Sequence, residues 1–298
     1  MVKNDFVVSG IGFAWYFECT TLYPLTGPLL HGNEKKNRTF LYNSDVVPGP
    51  CSGGFSTTRF LQQRVHEKYM DPQTLADEPR ALYEQIKKQY KVAFEPFSVR
   101  DVRLNLLKIT DLEQILDGKD PLKDVSEFPF WIRLWEAAIV LSEFVATQQF
   151  ADGTSVLELG AGLGAPGLTA AVRGCAVTLS DYEEMILDFE RVSAAASGLD
   201  TVRFSMLDWL NPPEMEKYDV ILGAEILFRE EFFQPLLTIL GKALKPGGSV
   251  FLAHDLRRKS LQPFLQMADK EYVISARKKK LQGLEADKEV LLTRLIAR

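Results

Sequence analysis

Cysteine is scarce in this chain: Cys19, Cys51 and Cys175 are its full complement in 298 residues. Their spacing suits neither a disulfide framework nor a metal-ligand set, and an odd number cannot all pair, so a reducing, cytoplasmic setting is expected. Histidine is as thin. His31, His66 and His254 stand far apart, and no metal is expected. No run of about 18 apolar residues appears, so no spanning helix and no membrane partner are expected. Positive charge is not in excess either. Formal net charge is −5, and it is uneven: residues 1–69 carry seven Lys/Arg against five Asp/Glu, the remainder 28 against 35. An acidic main region argues against nucleic acid as a partner and fits a basic or neutral one.

What is present is ordinary globular material, 46% hydrophobic and 25% charged, long enough for one large domain or two small ones. Residues 1–69 are the exception. Phe6 to Phe17 is apolar and aromatic, and the following stretch mixes Gly, Pro, Ser and aromatics without steady periodicity; only Thr57 to Tyr69 hints at a helix. Lys3 before an apolar run resembles the opening of a signal peptide, but Asp5 and Glu18 flank the run and no A-x-A site follows. The segment is expected to be an irregular or disordered extension, or text upstream of a true start at Met70. From residue 70 the pattern is orderly. Asp77-Glu78-Pro79 opens an amphipathic helix with Leu82, Ile86 and Tyr90 on one face. Val92 to Ile109 alternates as one or two strands, and Thr110-Asp111-Leu112-Glu113 is a capping signature before a short helix ending near Gly118. Residues 70–127 are thus expected to form a small α/β lead-in to a main domain over 128–298.

The main domain is organised around Thr154 to Ala165, T-S-V-L-E-L-G-A-G-L-G-A. Val156, Leu157 and Leu159 make a buried strand. It ends in Gly160, Gly162 and Gly164, with Ala161 between them, and a helix over 166–172 follows. Glycines between a strand and a helix leave backbone N–H groups bare for a ligand to approach. The same residues satisfy G-x-G-x-x-[GA], so a dinucleotide remains a competing ligand. Glu158 tilts the choice, because an acid there suits an ammonium or a ribose and repels a pyrophosphate. Ala176 to Leu179 is a second strand, closing on Asp181 and Tyr182; Asp181 lies 21 residues beyond Gly160, where an acid can accept hydrogen bonds from ribose hydroxyls in either kind of fold. A helix over 183–196 follows. Val202 to Leu207 is a third strand, closing on Asp208-Trp209, a pair able to bond an adenine amine and cover its ring. Tyr218 to Ala224 is a fourth, and Glu225-Ile226-Leu227-Phe228 stands at its carboxyl end, where open α/β sheets gather their chemistry. A helix over 231–244, the turn Lys245-Pro246-Gly247-Gly248, a strand over 249–254 and a helix over 259–270 lead to a closing strand pair, Tyr272 to Leu281 and Glu289 to Ile296. His254 reads as a packed histidine more readily than as an acid/base group.

V-L-E-L-G-A-G-L-G resembles motif I of the seven-strand, S-adenosylmethionine-dependent methyltransferases. Phe128 to Val145, F-P-F-W-I-R-L-W-E-A-A-I-V-L-S-E-F-V, suits a helix with Trp131 and Trp135 on its apolar face. It also resembles the P-Y-W-x-x-x-W-P lead-in of the family-16 protein lysine methyltransferases, closest to the branch that methylates the electron-transfer flavoprotein β subunit. Glu136 stands where that branch has proline. The resemblance implies an α/β fold with a Rossmann-like seven-stranded sheet and an antiparallel final strand, supplied by the closing hairpin, which dinucleotide folds lack. It implies S-adenosylmethionine bound by Trp135, Glu158, the Gly160 loop, Asp181, Asp208, Trp209 and Ala224. It identifies E-I-L-F with the family's D/E-x-x-Y/F motif, so Glu225 and Phe228 are expected to handle a lysine acceptor on a protein partner, with a monomer assumed. Asn-Pro-Pro-Tyr, frequent at this position in small-molecule N-methyltransferases, is absent; Asn211-Pro212-Pro213 lies in the wrong loop. A small-molecule N- or O-methyltransferase, an inactive scaffold of this fold and a dinucleotide enzyme are the alternatives.

Overall fold

The computed structural model describes residues 8–10, 13–19, 23–24, 70–111, 129–282 and 287–298. The helix hint at 57–69 and the one expected after Thr110 lie outside them. In chain order the elements are β1 (Val8–Gly10), β2 (Phe13–Cys19), β3 (Tyr23–Pro24), α1 (Asp77–Gln89), β4 (Val92–Val99), β5 (Val102–Ile109), α2 (Glu136–Thr147), β6 (Ser155–Leu159), α3 (Ala165–Val172), β7 (Ala176–Asp181), α4 (Glu184–Ala196), β8 (Arg203–Met206), β9 (Tyr218–Ala224), α5 (Phe233–Ala243), β10 (Leu244–Asp255), α6 (Leu261–Ala268), β11 (Tyr272–Gln282) and β12 (Lys288–Ala297). Among the described residues no helix is long and apolar enough to cross a membrane.

Nine strands of the main sheet run β1-β2-β11-β12-β10-β9-β6-β7-β8, with β3 also paired to β11. Seven of them, β8-β7-β6-β9-β10-β12-β11, make the expected sheet. β6 to β10 are parallel with one another, and β12 enters antiparallel between β10 and β11. That antiparallel strand is what separates this sheet from a dinucleotide-binding one. The stretch read as irregular departs from expectation within its first 24 residues: β1 and β2 form a hairpin and β2 extends the β11 edge. The main chain reverses its direction of growth at β6, running outward to β7 and β8 and then returning to β9 on the other side. Such a switch point opens a crevice at the carboxyl ends of β6 and β9.

The lead-in is a helix and a hairpin. Asp77 and Glu78 in the first turn of α1 and Lys87 and Lys88 in its last complement the helix dipole, while Tyr83 and Ile86 are buried. β4 and β5 pair from Val92↔Ile109 to Val99↔Val102 across a two-residue turn in which Arg100 has φ 54°. The hairpin docks on α4, where two serines satisfy its backbone: Leu107 N–H donates to Ser193 Oγ within the helix (2.9 Å) and Asn105 N–H to Ser197 Oγ just past its end (3.0 Å). Arg100 reaches Glu143 of α2, its Nε 3.0 Å from Oε1.

The tryptophan segment corrects an expectation. α2 starts only at Glu136; before it Phe130–Ile132 is a single 3-10 turn, and Trp135 is extended at φ −77°, ψ 150°. The Trp135 indole N–H donates to the Phe130 carbonyl at 2.7 Å, closing a loop that a continuous helix would pull open. Trp131 packs edge-on against Phe189 of α4 at 5.0 Å, so it belongs to the core, while α2 buries residues on nearly every side. β10 also begins earlier than expected, at Leu244, and absorbs the Lys-Pro-Gly-Gly turn as a register break before Ser249.

Candidate active site

Each glycine of the loop after β6 has a backbone that a side chain would resist: φ is 58° at Gly160, 59° at Gly162 and 70° at Gly164. Each also lies against a neighbour. A Cβ on Gly160 would meet Ile226 Cγ2 and Trp209 Cζ2 at 3.2 Å, and one on Gly164 would meet Leu179 Cδ1 at 2.9 Å. The loop is held from β7, with Ala161 N–H donating to the Ser180 carbonyl (3.1 Å) and Gly162 N–H to Asp181 Oδ2 (2.9 Å).

Three carboxyl groups gather beneath this loop. Asp181 ends β7, accepting from Gly162 N–H and, through Oδ1, from Tyr182 N–H (2.7 Å), and lone pairs on both oxygens remain for a ligand. Burial raises its pKa to about 6 against the pull of those two bonds. Glu158 is not where the sequence suggested. Only 1% exposed, its carboxylate turns away from the crevice into the first turn of α3 and accepts from Gly167 N–H at 2.7 Å. Gly167 admits it because a Cβ there would stand 2.6 Å from Glu158 Oε2. Burial, with the charge of Asp181 adding to it, pushes the Glu158 carboxyl up to about 8. Glu190 of α4 is fully buried with neither oxygen hydrogen-bonded, and burial first, then Asp181 and Glu158, raise it well above the carboxylate range.

The other expected residues stand at strand ends and at the start of α2. Trp209 follows β8 and covers Gly160; Asp208 accepts from Leu210 N–H (2.9 Å) and Asn211 Nδ2 (3.0 Å), which together lower its pKa. Tyr182 is 64% exposed and shares with Asp208, Met206 and Asn211 an open hollow of about 620 Å³. Trp135 stands at the start of α2 with the Arg133 guanidinium 4.9 Å from its ring. Ala224 closes β9, paired with Ala253.

The Glu225–Phe228 loop is built differently. Glu225 has φ 57°, a conformation that costs a residue with a Cβ about 1 kcal/mol. Its carboxylate, expected to hold an acceptor amine, is engaged inside the protein: Oε1 accepts from Asp255 N–H (2.6 Å) and Oε2 from Arg258 Nε (2.6 Å). Burial raises its pKa, Arg258 opposing. Leu227 N–H donates to His254 Nε2 at 3.3 Å, and the Leu227 carbonyl accepts from Ser260 Oγ. Burial, then Arg258, depress His254 to about 3, in keeping with a neutral ring whose Nε2 accepts from Leu227 N–H. Phe228 is 47% exposed and forms an aromatic rim with Trp209 (6.2 Å) and Phe232 (5.4 Å).

A sequence profile described as lysine methyltransferase matches residues 129–271, which take in the tryptophan segment, the glycine loop and the Glu225–Phe228 loop. The protein N-lysine methyltransferase METTL21A of Xenopus tropicalis is 31% identical over 148 residues, 48% of this chain and 68% of that protein. The chain belongs to the lysine methyltransferase family. Mouse EEF1A lysine methyltransferase 3 is 34% identical over 131 residues, 42% of this chain and 56% of that one. The histidine protein methyltransferase 1 homolog of Dictyostelium discoideum is 31% identical over 150 residues, 48% of each. The chain thus spans about half the length of these last two relatives. The electron-transfer flavoprotein branch remains an expectation from the tryptophan segment.

The cofactor of the lysine methyltransferase family is S-adenosylmethionine, and the crevice fits it. A loop whose three glycines all hold a positive φ lies beside a carboxylate with spare acceptor positions for a ribose diol, and an exposed tyrosine and an aspartate flank the hollow next to it. What the sequence reading missed in this family member is the set Arg258, Asp255 and Ser260. The run H-D-L-R-R was visible, but nothing in it announces that its side chains turn back onto the loop after β9.

Proposed function

We propose that this protein transfers a methyl group from S-adenosylmethionine to a lysine side chain of a protein substrate. The observation that carries the reading is the meeting at Gly160. Ile226 of the Glu225–Phe228 loop and Trp209 both press on that glycine, so the cofactor loop and the acceptor loop share one wall. Bound there, the cofactor supplies an electrophilic methyl on a sulfonium. Asp181 accepts the ribose hydroxyls, Asp208 and Tyr182 flank the base, and Trp135 closes the crevice from the start of α2. A lysine amine, with pKa about 10.4, loses its proton to solvent before it enters. Phe228, Trp209 and Phe232 then line its alkyl chain and keep water out. Most of the barrier is lowered by alignment, which is what a rigid rim provides. A buried, unpaired Cys175 suits a reducing compartment such as the cytoplasm.

Tritiated cofactor added with the protein to a cell lysate tests this. Label is expected in a protein band and, after acid hydrolysis, in methyl-lysine. Label in methyl-histidine would move the acceptor to that of the Dictyostelium relative, label in small molecules would replace the protein substrate, and no label would sink the reading.

A further inference from the structure

Among the described residues only Arg100 and Glu225 hold a positive φ without being glycine. Such a backbone persists when its surroundings over-determine it, and around Glu225 they do so from a single stretch of chain. Glu225 N–H donates to the Ala253 carbonyl (2.9 Å), Asp255 N–H and Arg258 take the two carboxylate oxygens, His254 accepts from Leu227 N–H, and Ser260 donates to the Leu227 carbonyl. Ile226, 3% exposed, fills the space against Gly160. Two of the loop's four residues, Glu225 and Leu227, are therefore tied inward by residues 253–260, Ile226 is buried against Gly160, and Phe228 is what the loop presents to solvent.

Arg258 differs from the other ties. Backbone groups of β10 stay where the sheet puts them, whereas Arg258 lies past the strand, its side chain 32% exposed, and pairs with a Glu225 side chain that is 12% exposed. Without Arg258, Glu225 keeps a nearly buried charge with one N–H to answer it. Breaking a buried pair from one side is strongly unfavourable, because the remaining charge is uncompensated. Glu225 can answer by taking up a proton, which weakens its hold on Asp255 N–H, or by leaving the left-handed conformation and swinging its carboxylate to water; either loosens the tie on the residues that follow and lets Phe228 move off Trp209 and Phe232.

We propose that Arg258 is a positioning residue of the methyl-transfer site, holding the Glu225–Phe228 loop so that Phe228 faces the incoming side chain. Glu225 on this view is the keystone of the loop rather than the group that grips the amine. The inference rests on the methyltransferase reading above for its kinetic arm but not for its structural one.

The test compares the full chain with Arg258→Ala, Arg258→Lys, Glu225→Gln and the Arg258→Ala/Glu225→Gln double variant. Turnover is measured on the labelled protein substrate, S-adenosylhomocysteine affinity by calorimetry, and amide hydrogen exchange across residues 224–229. Arg258→Ala is expected to lower kcat on the order of 10²-fold with S-adenosylhomocysteine affinity within about 3-fold. Exchange at Leu227 should quicken by about tenfold or more. Arg258→Lys should recover part of both, since an ammonium can still pair with Oε2 though not with the guanidinium fork. The double variant should be no slower than Arg258→Ala, because residues acting as one unit do not add. Unchanged exchange at Leu227 in Arg258→Ala overturns the proposal, as does full turnover, an equal loss of turnover and cofactor affinity, or additivity in the double variant. A parent protein that methylates nothing sinks the function while the exchange arm still decides whether Arg258 holds the loop.

Discussion

The two halves of the crevice reach unusual backbone conformations by opposite means. On the β6–β7 side the chain turns through Gly160, Gly162 and Gly164, where positive φ carries no Cβ penalty, and Asp181 fastens the result through backbone N–H groups. On the β9 side the same kind of turn is made by a glutamate, held by side chains and backbone from residues about thirty positions later. The first device is local and accommodates a ligand that approaches the backbone itself. The second is tertiary and uses the side chain itself as the tie, which a glycine could not supply.

The largest expected effect breaks the glycine side. Asp181→Ala removes the acceptor proposed for the ribose and should weaken S-adenosylhomocysteine on the order of 10²-fold by titration calorimetry, as for lost hydrogen bonds to a charged group. Tight NADH binding in the parent with none for S-adenosylhomocysteine would overturn the cofactor assignment. Glu158→Gln sharpens the same side through stability. Glu158 has a folded pKa of about 8 against 4.5 as the ordinary value. Its protonated form is favoured in the fold, so its contribution is full below about pH 4.5 and drains away as pH rises toward 8. Glutamine is neutral throughout, so the variant should gain on the parent as pH goes from 5 to 8, on the order of 2 kcal/mol or several degrees of Tm in the ligand-free protein. A gap that stays flat with pH would show that Glu158 is ionised in the fold.

Phe228→Ala tests what the acceptor side is for. Truncating a half-exposed ring proposed to line the substrate should raise KM for the protein about tenfold, with kcat and S-adenosylhomocysteine affinity little changed. A fall in cofactor affinity instead would make Phe228 part of the cofactor pocket. The smallest effect isolates the contrast itself. Glu225→Ala and Glu225→Gly both lose the clamp, but glycine tolerates φ 57° and alanine does not, so the glycine variant should be the more stable by about 1 kcal/mol by denaturant titration. Equal stability would mean that the loop relaxes once the carboxylate is gone.

Much of the site was readable because its determinants are near neighbours in sequence. Gly160, Gly162 and Gly164 mark a turn wherever they fall, and Asp181 and Asp208 follow their strands at spacings set by the β-α-β unit. Trp131 and Trp135 were harder. Their spacing of four suits a helix face, and only the bond from the Trp135 indole to the Phe130 carbonyl shows that the helix begins after them. Glu158 misled for a simpler reason. Its place at the strand end could be read from the sequence, but the direction of its side chain depends on the room that Gly167 leaves in α3.

From β6 onward the sequence by itself determined the order of strands and helices, the glycine turn and the family, because periodicity, turn chemistry and motif spacing are properties of short stretches of chain. Tertiary structure decided which carboxylates face the crevice and which serve the fold: Asp181 outward, Glu158 and Glu190 inward, Glu225 sideways onto Arg258. A carboxylate's role is set by what surrounds it when water is withdrawn, and those surroundings come from α3, α4 and the end of β10, segments that only folding brings together.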